Sequence, residues 1–97
     1  MKRTEAIDLL KQNEVELRRL GVVHLYLFGS TSRDDAREDS DVDLFFDYER
    51  GQFGLFELMD VKSHTSDILG HKADIMTRDS IHKALRHSIV SAAIQVF

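Results

Sequence analysis

Val22-Val23-His24-Leu25-Tyr26-Leu27-Phe28-Gly29-Ser30-Thr31-Ser32-Arg33 passes from a mostly apolar run to a polar one through a single glycine. The first seven residues are short in span, rich in β-branched and aromatic side chains, and bounded by Gly21 and Gly29, which reads as a buried strand. From Thr31 to Ser40 the chain carries Ser, Asp and Arg with almost no apolar content, as suits an exposed turn or short helical loop. Beyond it, Val42, Leu44, Phe46 and Tyr48 alternate with Asp41, Asp43, Phe45 and Asp47. A period of two predicts a second strand with one mostly apolar and one largely acidic face, returning beside the first in a hairpin-like arrangement.

Working outward from this pair, Thr4 is placed to cap an amphipathic helix whose stripe runs Ile7, Leu10, Leu17 and Leu20, with Gly21 just past its end. On the other side, Gly51 to Gly54 form a break. Leu55, Phe56, Leu58, Met59 and Val61 then begin a helix reaching Ile68-Leu69, with Gly70 as its stop. Ala73-Asp74-Ile75-Met76 reads as a short third strand, and Thr77 or Asp79-Ser80 as the cap of a last helix through Ile81, Leu85, Ile89 and Val90. No repeat or low-complexity segment interrupts this order, and the chain has no proline.

Bulk properties narrow the functional classes. A chain of 97 residues predicts one compact domain over residues 1–97. Its 42% hydrophobic and 31% charged residues suit an ordinary globular core and argue against disorder. With 13 Lys and Arg against 17 Asp and Glu, the formal charge is -4, so nothing draws the whole molecule toward nucleic acid or an anionic membrane, and any phosphate binding must be local. The absence of cysteine excludes disulfides, thiolate metal sites and cysteine nucleophiles. No apolar run nears the roughly 20 residues of a membrane-spanning helix, so a soluble cytoplasmic protein is expected.

Two constellations carry chemistry. Residues two apart on a strand share a face, so Asp41 and Asp43 set two carboxylates side by side, with Cα atoms roughly 6 to 7 Å apart. Hard divalent cations such as Mg²⁺ take oxygen ligands, commonly one or two carboxylates together with substrate phosphates. An Asp-X-Asp strand end is suited to that task, although the same pattern also occurs as plain solvated surface. Gly29-Ser30, at the end of the apolar strand, permits close backbone approach and offers a hydroxyl and amides to phosphate oxygens; its bland counterpart is a strand-ending turn. Arg33 is a candidate for a bidentate phosphate contact, or for a solvent-facing pair with Asp34, Asp35 or Asp39.

Together, Gly29-Ser30-Thr31-Ser32-Arg33 followed by Ser40-Asp41-Val42-Asp43-Leu44 resembles the GSxxR…SDxDL signature of minimal nucleotidyltransferases in the DNA polymerase β superfamily. The resemblance extends over nearly the whole chain, through the Phe53-Gly54-Leu55-Phe56 helix start to the Ala73-Asp74-Ile75-Met76-Thr77 strand. It implies an α/β (α+β) fold with a small mixed sheet flanked by helices. It also implies that Asp74 completes a carboxylate triad with Asp41 and Asp43, holding two Mg²⁺ ions, or Mn²⁺. Gly29, Ser30, Arg33 and Ser40 are then the nucleotide-binding set. The implied reaction moves a nucleoside monophosphate, AMP from ATP being the expected case, onto a hydroxyl of a protein or other acceptor and expels pyrophosphate.

One departure stands out: the position after the arginine, commonly glycine in the family, is Asp34 here. With Asp35, Glu38 and Asp39 it adds negative charge beside a phosphate loop. The catalytic half alone leaves an acceptor pocket to be completed by a partner or a second copy. The resemblance points to a helical HEPN-type toxin as that partner, this chain being the antitoxin. The rival function is a non-catalytic nucleotide-binding or protein-interaction module.

Other residues carry weaker expectations. His24, His64, His71, His82 and His87 form no metal-binding spacing and read as surface or cap histidines. Lys62 is either a point charge toward a triphosphate or an exposed helical lysine. Phe53 and Phe56, with Leu55 and Met59, could stack on a base but fit a core better. No P-loop or hydrolase triad pattern is present.

Overall fold

The computed structural model describes residues 1–49, 51 and 53–97. Four strands form one mixed sheet: β1 (Val22–Phe28), β2 (Val42–Tyr48), β3 (Ala73–Thr77) and a short β4 (Ile94–Gln95), in the order β3-β2-β1-β4. The β1 and β2 strands pair antiparallel, as the hairpin-like expectation required, with Leu25 opposite Phe46, Tyr26 opposite Phe45 and Phe28 opposite Asp43. The β3 strand joins β2 in parallel, placing Asp74 directly opposite Asp43. This is the mixed α+β architecture expected from the sequence.

The sheet's two faces differ as the period-two pattern requires. Leu25 and Leu27, Val42, Leu44 and Phe46, and Ala73 and Ile75 are all buried on one side. Helices cover that side: α1 (Arg3–Gln12) contributes Ala6 and Leu10, α2 (Glu14–Arg19) contributes Leu17, and α4 (Leu55–Leu69) contributes Val61 and Leu69. The other side carries Tyr26 and Phe28, Asp43 and Phe45, and Asp74 and Met76. Phe45 is fully buried even there, stacked on Tyr26 at 4.7 Å, with the Arg78 guanidinium over both rings at 4.9 and 5.3 Å.

The expected single N-terminal helix is two. Asn13 leaves helical geometry, with φ -109° and ψ 18°, and its side-chain amide donates to the Leu9 carbonyl at 2.8 Å, satisfying a group that an unbroken helix would bond itself. Thr4 does not cap: Lys2 occupies the cap position and Thr4 lies within the first turn. Gly21 follows the second helix with φ 109°, as a residue past a helix end should.

Helix α4 begins at Leu55, where the Gly54 amide donates to Glu57 at 3.0 Å, and ends at Gly70, which is left-handed at φ 64°, as anticipated. The Gly51–Gly54 break includes residue 52, which lies outside the described residues. Phe53 packs inward, edge-on to Phe46 at 5.3 Å and stacked on Tyr48 at 5.1 Å. Leu55, Phe56 and Met59 do not join the core as expected; they are 69%, 79% and 57% exposed. At about 100° per residue they sit roughly 120–160° around the helix from buried Val61 and point away from the sheet.

The last helix starts later than expected. Thr77 and Ser80 hydroxyls bond each other at 2.7 Å around a 3₁₀ turn (Arg78–Ser80), Ile81 follows in extended geometry, and α5 (Lys83–Ala92) begins after His82, whose Nδ1 accepts from the Ala84 amide at 3.2 Å. Because α5 connects edge strand β3 to edge strand β4 and lines a cavity with Phe28, it crosses the carboxylate-bearing face. None of its residues is buried. The final strand was not anticipated: Ile94 and Gln95 continue the apolar rhythm of α5, yet they pair with Leu27 and Tyr26.

Candidate active site

The turn after β1 is one helical turn, α3 (Gly29–Ser32). Phe28 is extended and Gly29 switches to φ 74°, which a residue with a Cβ adopts only at a cost. A second reason for glycine is steric. A Cβ at position 29 would run into the Asp43 carboxylate, so the turn's backbone lies directly against that side chain.

Within the turn, the Ser32 hydroxyl donates to the Gly29 carbonyl at 2.7 Å, and the Ser30 carbonyl accepts from the amides of Arg33 at 3.2 Å and Asp35 at 3.0 Å. Carbonyls are thus occupied inward, while the leading amides of a helical turn have no acceptor within it. Thr31 and Ser32, expected on an exposed loop, are buried at 1% and 7% exposure because this turn is packed among β1, β2 and α1.

Three carboxylates lie at the end of the sheet that carries this turn, Asp43 directly against it. Asp41 immediately precedes β2, Asp43 lies on it, and Asp74 on β3 is in register with Asp43. Asp43 is pushed above its ordinary 3.8, first by burial, then by the negative charges of Asp74 and Asp41, with Arg33 opposing. Asp43 therefore feels both of the other acids. Among the described residues no three His, Cys, Asp or Glu side chains already converge as a metal cage. A Mg²⁺ ion needs no such cage, since it keeps waters and takes phosphate oxygens beside one or two carboxylates. Hard oxygen donors that repel one another beside a backbone turn fit such a cation.

The remaining expected site residues divide. Ser30 is half-buried in the turn itself. Arg33 is exposed and paired with Asp35 at 3.3 Å, one of its two expected roles, while remaining close enough to influence Asp43. The Ser40 hydroxyl accepts from the Arg37 amide at 3.0 Å and shapes the loop leading into Asp41. Lys62 is exposed on α4, which covers the opposite face of the sheet, so it is not brought to the carboxylates.

One participant was missed. Lys72 Nζ lies 3.8 Å from Asp41 Oδ2; the signal was its spacing of two from Asp74, which sets both on one side of an extended chain. Asp34, expected to add negative charge beside the loop, is instead engaged by Arg3. It is left-handed at φ 58°, a conformation glycine adopts most readily, and its carboxylate accepts from the Arg3 amide at 2.7 Å and pairs with the Arg3 side chain at 3.7 Å. Its charge thus caps the start of α1, where a helix favours an anion.

Comparison with known proteins agrees with this geometry. Residues 9–96 match the family model of the nucleotidyltransferase domain. A Methanocaldococcus jannaschii protein provisionally named protein adenylyltransferase MJ0435 is 33% identical over 76 residues, covering 78% of this chain and 81% of the relative. The solved structure of a provisionally named minimal nucleotidyltransferase superposes with a TM-score of 0.81 at 32% identity, covering 97% of this chain and 95% of that one. A chain from the solved complex of a tri-AMPylated Shewanella oneidensis HEPN toxin with its MNT antitoxin shares the fold, with a TM-score of 0.66 at 18% identity over 94% of this chain and 71% of that one.

Proposed function

The chain belongs to the nucleotidyltransferase domain family, and on that premise we propose that it transfers AMP from ATP to a hydroxyl group of a protein, releasing pyrophosphate. The observation that carries this reading is the pairing of Asp43 with Asp74 directly beside the Gly29 turn. Asp41 and Asp43 would hold divalent metal, Mg²⁺ or Mn²⁺, with Asp74 as the third carboxylate of the set. Bound there, two such ions would neutralise phosphate charge and lower the pKa of the acceptor hydroxyl.

The chain's own groups position the rest. Ser30 and the amides of the turn hold the triphosphate, Arg33 exchanges Asp35 for a phosphate oxygen, and Ser40 fixes the loop that aims Asp41. Lys72, 3.8 Å from Asp41 Oδ2, offsets part of the negative charge of the acidic cluster. The acceptor oxygen forms a bond to the α-phosphorus as the bond to pyrophosphate breaks, and the hydroxyl proton passes to Asp74, which is exposed at the sheet edge. Positioning and charge neutralisation supply most of the catalysis in such a displacement.

The acceptor we infer is a helical HEPN-type toxin, by analogy with the complex whose antitoxin shares this fold. Incubation of that partner with ATP labelled at the α-phosphate and Mg²⁺ should label it, and Asp43→Asn should abolish labelling while the complex persists. A second reading, neutralisation by contact alone, is favoured by the exposed Leu55, Phe56 and Met59. Unchanged toxin neutralisation by Asp43→Asn would establish it and end the catalytic account of antitoxin action.

A further inference from the structure

A cavity of about 280 Å³ opens between the end of β1, the α3 turn and the C-terminal half of α5. Gly29 belongs both to its wall and to the backbone that lies against Asp43, so the cavity borders the carboxylate site through that residue. Resting on the proposed function, we propose that this cavity seats the base of the nucleoside triphosphate, with Phe28 and Ile89 as its facing walls.

The alternative occupant at this location is the triphosphate tail, and the lining decides against it. Phe28, Ile89 and Ala92 offer no charge or hydrogen-bond donor from their side chains. The Ser32 hydroxyl is committed to the Gly29 carbonyl, and Arg33, which brings charge to the lining, serves the phosphates held at the turn. A polyanion gains little from such walls, whereas a flat aromatic ring gains dispersion and desolvation. The Phe28 ring is held in place by Phe45, with centroids 5.7 Å apart and planes tilted 44°. Across from it, Ile89 is half-buried, and neighbouring Ser88 presents an exposed hydroxyl suited to the edge of a base. The volume lies close to the lower end of small-molecule sites, roughly 300 Å³.

Because no residue of α5 is buried, the cavity can be filled from that side without disturbing the core. Calorimetric titration of Mg-ATP and of inorganic tripolyphosphate into the wild type, Ile89→Trp and Ala92→Leu tests the assignment, with Leu85→Trp as a control on the exposed part of the same helix. Both cavity-filling variants should weaken Mg-ATP about tenfold or more, about 1.4 kcal/mol, with tripolyphosphate affinity unchanged and the control matching wild type. Equal loss of tripolyphosphate would assign the cavity to the phosphates, and unchanged ATP affinity would remove the cavity from the site; either overturns the proposal. A wild type that binds tripolyphosphate but no nucleoside triphosphate also overturns it. If neither ligand binds the wild type, the nucleotide-binding reading falls first, and this inference with it.

Discussion

Gly29 answers to two demands at once, a left-handed backbone and the Asp43 carboxylate at its α-carbon. Gly29→Ala should therefore lower stability by about 1–3 kcal/mol and weaken Mg-ATP binding together, as thermal melting and titration would record. Asp43 has its own signature. Its carboxyl holds a proton more tightly in the folded chain than the ordinary 3.8 of the unfolded one. Between those two values the folded state binds more protons, so its stability falls as pH rises through the window and the deficit persists above it. Asp43→Asn should consequently be more stable than wild type near pH 7 in chelator, with the difference closing below pH 3.8. Added Mg²⁺ should favour wild type instead, by a shift in denaturation midpoint that the variant lacks.

At the scale of elements, α4 shows how one helix serves two purposes. Its Val61, Thr65 and Leu69 stripe is buried, while Leu55, Phe56 and Met59 stand in solvent. Phe56→Ser should change unfolding free energy by less than about 0.5 kcal/mol, whereas Leu69→Ala should cost about 2–5 kcal/mol; chemical denaturation separates them. The two central strands and α4 were legible because their periodicity and bounding glycines agree with their packing. What escaped depended on distant partners: Asn13 breaks the first helix by a local side-chain bond, and β4 is named a strand only because β1 lies beside it. The candidate site divides the same way. Gly29-Ser30 and Asp41-Val42-Asp43 are two short motifs readable in the sequence, and the structure brings Asp74 opposite Asp43 through register, while the roles of Asp34 and Lys72 required knowing what lies across from them.

For the molecule as a whole, the carboxylate-bearing face holds a pinned end and an open end. Arg78 grips Asp47 through Nε at 2.7 Å and a second nitrogen at 3.1 Å while lying over Tyr26 and Phe45. That grip holds the guanidinium more firmly protonated still, chiefly through the Asp47 hydrogen bond. Arg78→Lys keeps the charge but loses the fork and the flat stacking surface, and should lower stability by about 1.5–3 kcal/mol in a denaturant series. Transfer activity should fall less than it does in Asp43→Asn, since Arg78 lies at the far end of β3 from Asp74.

The alignment of β2 with β3 makes the site an all-or-none property. Side chains change face at every residue along a strand, so a one-residue deletion at Gly70–Lys72 that kept β3 in the sheet would swap Asp74 with an apolar neighbour. Such a chain would present Asp74 to the core or shift the whole strand to avoid it. Length variation in a turn more than one residue away from any acid should thus extinguish transfer in single steps, with no graded series of weaker enzymes between; a set of turn deletions and insertions, assayed for transfer, would show it.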